Sequence, residues 1–182
     1  QALDALARAV EPRLQMADAR IAARRAWLTD RMRTRRAQLA KDSAAGTTIS
    51  PEYLSHAIGE AVGKDAIIIN EYPLRPDHCA REKPGTFFSL GPAGGLGWGL
   101  GAALGAKLAA PDELIVATLG DGSYMFANPM VGHWVSAVHK LPILTVVFNN
   151  SRYGAVRRAT LSMFKDGAAG ETDGRTLADL DP

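Results

Sequence analysis

The sequence predicts an α/β fold, a doubly wound and mostly parallel sheet with helices on both faces, preceded by a long helical arm. Continuous apolar runs, of the kind that parallel sheets bury, alternate with helical patterns after residue 48. Seventeen of the 18 glycines also lie after residue 48, whereas the residues before it are rich in Ala and Arg, which favour helices. Two parts with such different compositions are expected to have different structural roles.

The arm is predicted over residues 1–48 and the α/β domain over residues 49–182. Apolar residues of the arm recur at steps of three, four or seven, as on one face of a helix. Pro12 is expected to end one helix and begin the next, because it lacks an N–H group. Ten basic against five acidic residues give the arm a basic face, which is either a solvated surface or a contact for an acidic partner.

The first element of the α/β domain is predicted to be a helix that begins at Ser50-Pro51-Glu52. This is a capping serine, then a proline and an acid in the first turn. In sheets of this kind ligands bind beyond the C-terminal ends of the strands, where we expect the functional residues. The predicted strands lie at 66–69, 113–119 and 143–148. The helices between them are predicted near 94–109 and 127–139.

Composition argues against several classes of protein. The 182 residues allow one domain with an appendage, and 47% hydrophobic residues provide for a core. A net charge of +2 argues against a nucleic-acid partner, and the single Cys79 excludes a disulfide framework or a Cys-rich zinc site. Because no apolar run reaches about 18 residues, we expect no membrane partner and a cytoplasmic location.

Polar or glycine-rich sequence follows each predicted strand. The three segments are Asn70-Glu71, Gly120-Asp121-Gly122-Ser123 and residues 149–154. Oxygen ligands from neighbouring strands, together with glycine N–H groups that phosphate can approach, favour a site for Mg²⁺ and phosphate. Gly-Asp-Gly and Asn-Asn are also common in turns, but their occurrence together after buried strands favours the site.

A glycine-rich run occupies residues 91–101. It has neither the G-x-G-x-x-G spacing of a dinucleotide fingerprint nor the Gly-Lys-Ser/Thr of a P-loop. Gly97, Gly101 and Gly105 repeat every four residues and would line one face of a helix. Small residues on that face predict the close approach of another backbone or of a ligand.

Three motifs in this order resemble the thiamine-diphosphate-dependent decarboxylases and carboligases. Gly120-Asp121-Gly122, followed after 26 residues by Asn149-Asn150, is similar to the cofactor motif of that family. Ala93-Gly94-Gly95-Leu96-Gly97 resembles a loop of acetolactate synthase large subunits and benzoylformate decarboxylases. The segment 149–157 is close to the form found in benzoylformate decarboxylases. The resemblance covers about residues 49–160 and is specific for the superfamily rather than for a substrate.

The resemblance implies a magnesium ion and thiamine diphosphate as cofactors. It implies that Mg²⁺ is bound by Asp121, the side-chain oxygen of Asn150 and the backbone carbonyl of Arg152. Gly122 and Ser123 would donate hydrogen bonds to the diphosphate. Two diphosphate oxygens and a water would complete the six ligands of the metal.

The resemblance also implies contacts with the rest of the cofactor. Leu96 would lie under the cofactor and bend it, and the Gly94 carbonyl would hold the 4′-amino group of its aminopyrimidine. Bound in this way, the cofactor provides the reactive carbon and the electron sink, while the protein supplies position and electrostatics. Further cofactor contacts are expected from Gly120, Tyr153 and Gly154.

The reaction that the resemblance implies is decarboxylation of a 2-oxo acid, after which the enamine is protonated or adds to an acceptor carbonyl. Such an enzyme is a lyase or a carboligating transferase. No catalytic residue is predicted in this chain, because the activating glutamate of the family belongs to a pyrimidine-binding domain of the same or another subunit. Glu71 is either an acid near the diphosphate or an ordinary strand-end residue.

The resemblance further implies that the chain is part of a longer enzyme. Residues 1–11 resemble the last helix of the family's middle domain, and the α/β domain is expected to continue beyond residue 182. Residues 160–182 are expected to form a loop over the crevice. The full-length protein is expected to form a homodimer or homotetramer, and the chain alone to be inactive.

Two alternatives remain open at the level of the sequence. The chain is alternatively a natural separate subunit of a split thiamine-diphosphate decarboxylase. It is otherwise a non-catalytic α/β module that binds a nucleotide or a protein partner, with the arm as the contact surface.

Overall fold

A computed structural model describes residues 2–14, 18–92 and 94–167 of the chain. Contacts group the chain into two compact units that divide between Ala44 and Ala45, and each unit is described by itself. Within the described ranges, no helix combines the length and the apolar character that crossing a membrane requires.

The first unit contains the helices α1 (Ala2–Leu14) and α2 (Asp18–Asp42). Every residue of α1 is exposed. The prediction that Pro12 ends the first helix is wrong, because α1 continues through Pro12 to Leu14. Pro12 lies in the last turn, where its missing N–H removes a single hydrogen bond near the end of the helix.

The second unit is built on a four-stranded parallel sheet with the strand order β2-β1-β3-β4. Three of the strands confirm predicted ones to within two residues at each end. The strand β2 is absent from the sequence prediction, because three residues are too few for a pattern to stand out from a loop. The strands are β1 (Ile67–Glu71), β2 (Phe87–Ser89), β3 (Ile115–Gly120) and β4 (Leu144–Phe148).

The described part of this unit also contains five α-helices and one short 3₁₀-helix. The first begins as predicted, since the Ser50 hydroxyl oxygen accepts a hydrogen bond from the N–H of Tyr53 at 3.1 Å. The helices are α3 (Pro51–Val62), the 3₁₀-helix at Pro76–His78, α4 (Trp98–Ala109), α5 (Asp121–Phe126), α6 (Pro129–Val138) and α7 (Gly154–Met163).

Two predicted boundaries are wrong. Helix α4 begins four residues later than predicted, because Gly94 and Gly97 have φ angles of +65° and +87°, which a right-handed helix cannot contain. The loop predicted from residue 160 begins later, since α7 continues to Met163. Residues 168–182 of that predicted loop lie outside the described residues.

Apolar side chains cover both faces of the sheet. On one face, Ile58 of α3 belongs to the same buried cluster as Ile68 and Val116. On the other face, Leu100 of α4 belongs to a cluster with Ile115 and other residues of β1 and β3. Burial of both faces explains why the strands have continuous apolar runs instead of alternating patterns, and it confirms the doubly wound α/β class.

The repeated glycines of α4 have different surroundings from those predicted. A Cβ atom on Gly97 would lie 3.1 Å from the Cα atom of Ala127, so a backbone does approach closely there. Gly101 and Gly105, in contrast, have open space around them in the described part of the chain. Close contact instead occurs at Gly99, where a Cβ atom would lie 2.9 Å from a carboxylate oxygen of Glu71.

Candidate functional site

The C-terminal ends of three parallel strands lie at one edge of the sheet. Glu71, the last residue of β1, is paired with Leu119 of β3, and Gly120 at the end of β3 is paired with Phe148 of β4. The segments that follow these strands therefore begin side by side. The polar segments after β1, β3 and β4 thus begin at the same edge of the sheet, where such folds bind ligands.

Asp121 connects two of these segments. It is half-buried at the start of α5, directly after β3. One carboxylate oxygen, Oδ1, accepts a hydrogen bond from the N–H of Gly122 at 2.9 Å. The other, Oδ2, accepts from the N–H groups of Asn150 and Arg152 at 3.1 and 3.2 Å. Asp121 thereby holds the loop after β4 against the start of α5.

The loop after β4 is folded by its own asparagine side chains. Asn149 Oδ1 accepts from the N–H of Ser151 at 2.8 Å, and Ser151 has a φ angle of +53°. Asn150 Oδ1 accepts from the N–H of Arg152 at 3.0 Å. The carboxylate of Asp121 and the amide oxygen of Asn150 thus share one N–H donor, which brings together the two side chains proposed from the sequence as metal ligands.

Arg152 reaches this centre through its backbone. The contacts just described use its N–H group, and the role of its carbonyl oxygen as a metal ligand stays a prediction. Within the described ranges, no group of three or more His, Cys, Asp or Glu residues is arranged to hold a metal ion. An ion at Asp121 would therefore need amide, carbonyl or ligand oxygens as further partners, which is the donor set that Mg²⁺ prefers.

The Tyr153 ring lies over Gly122. A Cβ atom on Gly122 would lie 2.6 Å from Cδ1 of Tyr153, so the ring occupies the space that any larger residue would need. Gly122 and Ser123 are both buried at the start of α5. Tyr153 and Gly122 are therefore parts of one packed unit, whereas their contacts with a cofactor stay predictions.

The glycine-rich loop before α4 contains two other predicted residues. Gly94 adopts a left-handed conformation, and a Cβ atom there would lie 3.0 Å from the hydroxyl of Tyr72. Leu96 is half-buried. The predicted contacts of Gly94 and Leu96 with the aminopyrimidine stay predictions.

The function of Glu71 in the fold was missed by sequence reasoning. Its side chain is fully buried, and its Oε1 and Oε2 accept hydrogen bonds from the N–H groups of Gly97 and Gly99 at 2.6 and 2.5 Å. A carboxylate at the positive end of α4 satisfies N–H groups that the helix itself leaves unpaired. The structure therefore favours a capping role for Glu71.

Asn70, the other polar residue at the end of β1, is also occupied by the fold. Its Oδ1 accepts from the hydroxyl of Thr118 at 3.0 Å and from the N–H of Leu74 at 3.1 Å. Its Nδ2 donates to the carbonyl of Leu74 at 3.3 Å. Asn70 is buried and fixes the turn after β1, whereas the segments that follow β3 and β4 bring the side chains of Asp121 and Asn150 together at one N–H group.

Cys79 lies apart from this centre, in the buried cluster beneath α3. Burial raises the pKa of its thiol, and the nearby Arg81 opposes this shift only in part. A thiol that remains protonated at neutral pH is a poor nucleophile. Burial thus leaves the Cys79 thiol unactivated in this fold.

Comparison with known proteins identifies one family. Residues 75–182 match the family model of the C-terminal TPP binding domain of thiamine pyrophosphate enzymes. The match includes the strands β2, β3 and β4 and both segments that meet at Asp121.

Two curated relatives with different names match the chain at similar identity. The chain is 33% identical over 115 residues to acetolactate synthase of Mycobacterium leprae, covering 61% of the chain and 18% of that protein. It is 32% identical over 116 residues to benzoylformate decarboxylase of Pseudomonas aeruginosa, covering 62% of the chain and 21% of that protein. The chain thus spans about a fifth of the length of these relatives.

A solved structure agrees with this result. The chain superposes with a TM-score of 0.61 on thiamine diphosphate-dependent 4-hydroxybenzoylformate decarboxylase of Rhodococcus jostii RHA1, at 26% identity. The superposition covers 76% of the chain and 25% of that structure. The parallel sheet, the order of its polar strand ends and these matches lead to one conclusion: the chain belongs to the thiamine pyrophosphate enzymes and contains their C-terminal TPP binding domain.

Proposed function

We propose that the segments after β3 and β4 hold Mg²⁺ and the diphosphate of thiamine diphosphate in an enzyme that decarboxylates a 2-oxo acid. The observation that carries the proposal is the meeting of Asp121 and Asn150 at the N–H of Arg152. These residues come from two different strand ends, 29 positions apart, yet their oxygens face one centre. Oxygen donors placed in this way fit a hard cation bound to phosphate.

In this proposal each residue of the centre has a distinct task. Asp121 and Asn150 hold the metal through side-chain oxygens, and Arg152 contributes its backbone carbonyl. The N–H of Gly122 and the hydroxyl of Ser123 donate to the diphosphate. Gly120 lies between β3 and α5, which begins at the next residue, and contributes a further backbone contact to the cofactor.

Residues of two other segments complete the proposed cofactor site. Tyr153 and Gly154 line the cofactor site beside Gly122, against which the Tyr153 ring packs. Leu96 and the Gly94 carbonyl position the aminopyrimidine. When bound, the cofactor supplies a nucleophilic carbon and an electron sink, and the protein orients it and balances its charge.

The names of the relatives support a substrate class. Besides acetolactate synthases they include a benzoylformate decarboxylase and a glyoxylate carboligase of Escherichia coli O157:H7, the latter at 28% identity over 144 residues. We therefore propose a 2-oxo acid as substrate, with the product either protonated or joined to an acceptor carbonyl, as in a lyase or a carboligating transferase. The proposed partner is a pyrimidine-binding domain of the same or another subunit, within a homodimer or homotetramer.

Replacement of one carboxylate tests the proposal. In the full-length protein, Asp121→Asn is expected to lower the Mg²⁺-dependent affinity for thiamine diphosphate at least tenfold, because an amide neither neutralises the metal nor accepts hydrogen bonds on both of its ends. Isothermal titration calorimetry with and without Mg²⁺ measures this change.

The matched control is Asp112→Asn. Asp112 is exposed in the turn before β3, at the opposite end of that strand, and its substitution removes the same charge. The Asp112→Asn variant is expected to bind thiamine diphosphate with the same affinity as the wild type. If Asp121→Asn binds Mg²⁺ and thiamine diphosphate as tightly as Asp112→Asn does, the metal assignment is wrong.

A further inference from the structure

The Arg158 side chain on α7 lies back toward the loop that follows β4. A Cβ atom on Gly154 would lie 3.5 Å from Nη1 of Arg158 and equally 3.5 Å from Nδ2 of Asn150. Gly154 and Arg158 are four positions apart, so they are neighbours on one face of the helix. The absence of a side chain at Gly154 thus lets a guanidinium and an amide NH₂ group lie next to the same point of the backbone.

Both groups are donors, and neither can serve the other as an acceptor. No hydrogen bond or ion pair joins the Arg158 guanidinium to any residue within 2–14, 18–92 and 94–167. The acceptor end of the Asn150 amide is already engaged, because its Oδ1 accepts from the N–H of Arg152. Two donors that lie within 3.5 Å of one point and have no acceptor among the described residues suit an anion, since hydrogen bonds to charged oxygens are the stronger kind.

The charge of the surrounding segment is positive, which also favours an anion. The segment 149–158, which includes the loop and the first turn of α7, contains Arg152, Arg157 and Arg158 and no acidic residue. The carboxylate of Asp121, which accepts a hydrogen bond from this loop, would be neutralised by the proposed metal. A diphosphate and Asp121 together carry more negative charge than one Mg²⁺ offsets, so a further cation beside them is favourable.

We infer that Arg158 and Nδ2 of Asn150 form an anion-binding site beside Gly154, which takes a phosphate or carboxylate group of a ligand held at the Asp121 loop. The inference rests on the proposed function for the presence of that ligand. The guanidinium presents several N–H groups in a fixed plane, which matches the paired oxygens of phosphate and carboxylate groups.

The test compares two arginine substitutions in the full-length protein. Arg158→Gln is expected to weaken binding of inorganic pyrophosphate, of pyruvate, or of both, by about tenfold at low ionic strength, the usual effect of one charge-assisted hydrogen bond. Calorimetry measures pyrophosphate binding, and an NMR titration measures pyruvate binding. The control Arg157→Gln removes the same charge about 100° around α7 and is expected to change either affinity less than about twofold.

The two probes distinguish the possible sources of the anion. A loss for pyrophosphate alone assigns the site to the cofactor diphosphate, a loss for pyruvate alone assigns it to the substrate carboxylate, and losses for both assign it to either anion. Unchanged affinity for both probes, or equal losses in the two variants, overturns the inference. Arg158 is exposed, and Arg158→Lys, which keeps the charge, is expected to recover part of the affinity.

Measurements without Mg²⁺ separate this inference from the proposed function. If the wild type binds pyrophosphate with no response to Mg²⁺ while Arg158→Gln still weakens that binding, the anion site stands and the metal assignment fails. If binding requires Mg²⁺ and Arg158→Gln leaves both affinities unchanged, the metal assignment stands and the anion site fails.

Discussion

Asp121 uses its two carboxylate oxygens for different neighbours. Oδ1 faces the N–H of Gly122 within α5, and Oδ2 faces the N–H groups of Asn150 and Arg152 in the loop after β4. The proximity of Asp121 and Asn150 was predictable from the sequence, because each follows a buried strand of a parallel sheet. The backbone hydrogen bonds that join them were not predictable, since they depend on the exact turn after β4.

At the scale of single residues, the contact between Gly122 and Tyr153 predicts a strong effect of one methyl group. In Gly122→Ala the Cβ atom would meet the Tyr153 ring at 2.6 Å, so the ring or the start of α5 must move. We expect a loss of about 1–3 kcal/mol in the free energy of unfolding, as for other overpacked sites. Urea denaturation followed by circular dichroism measures it.

Gly101→Ala is the matched control. Gly101 is a helical glycine with open space around it in the described part of the chain, so alanine there is expected to stabilise the protein by about 0.5–1 kcal/mol. Equal changes in stability for Gly122→Ala and Gly101→Ala would show that the Tyr153 contact does not restrict position 122.

At the scale of elements, the sheet was more predictable than the helices around its functional edge. Three strands were recognisable as continuous apolar runs, whereas Phe87–Ser89 is too short for such a pattern. Helix α5 was missed because Gly-Asp-Gly-Ser is a sequence typical of turns. The start of α4 was misplaced because only the structure shows that Gly97 is left-handed and that Glu71 binds the N–H groups after it.

The Glu71 side chain joins the end of β1 to the start of α4 by two hydrogen bonds. In Glu71→Gln one side-chain NH₂ group would face a backbone N–H, either that of Gly97 or that of Gly99, at a fully buried position. We expect the free energy of unfolding to fall by about 3 kcal/mol, because a charge-assisted hydrogen bond is lost and a buried donor is left unpaired.

Two measurements check this expectation. Urea denaturation gives the stability, with Glu60→Gln as control because Glu60 is exposed on α3. Amide hydrogen exchange at Gly97 and Gly99 reports whether the start of α4 opens. Unchanged stability together with unchanged exchange at these two amides would contradict a capping role for Glu71.

At the scale of the whole molecule, the chain spans about a fifth of the length of the relatives it matches. The family and the α/β class were recognisable from the order of the motifs at the strand ends. The substrate was not, because the described residues at those ends either are the ones proposed to hold the metal and the diphosphate or form contacts within the fold itself.

The same reasoning predicts that the 182-residue chain alone does not turn over 2-oxo acids. Glu71, which the sequence left open as an acid near the diphosphate, accepts hydrogen bonds with both oxygens from the start of α4, and the family resemblance implies that the activating glutamate belongs to a pyrimidine-binding domain. A coupled assay of pyruvate and benzoylformate decarboxylation with saturating cofactor measures this. Turnover by the chain alone, retained after purification to homogeneity, would show that the activating group lies within it.

We propose above all that Asp121 and Asn150 hold the metal of a thiamine diphosphate complex. A crystal structure of the full-length protein with thiamine diphosphate and Mn²⁺ in place of Mg²⁺ tests it directly, because the anomalous signal locates the ion. We predict the ion between a carboxylate oxygen of Asp121, the amide oxygen of Asn150, the carbonyl oxygen of Arg152 and the diphosphate. An ion bound to the diphosphate without Asp121 and Asn150 would contradict the claim.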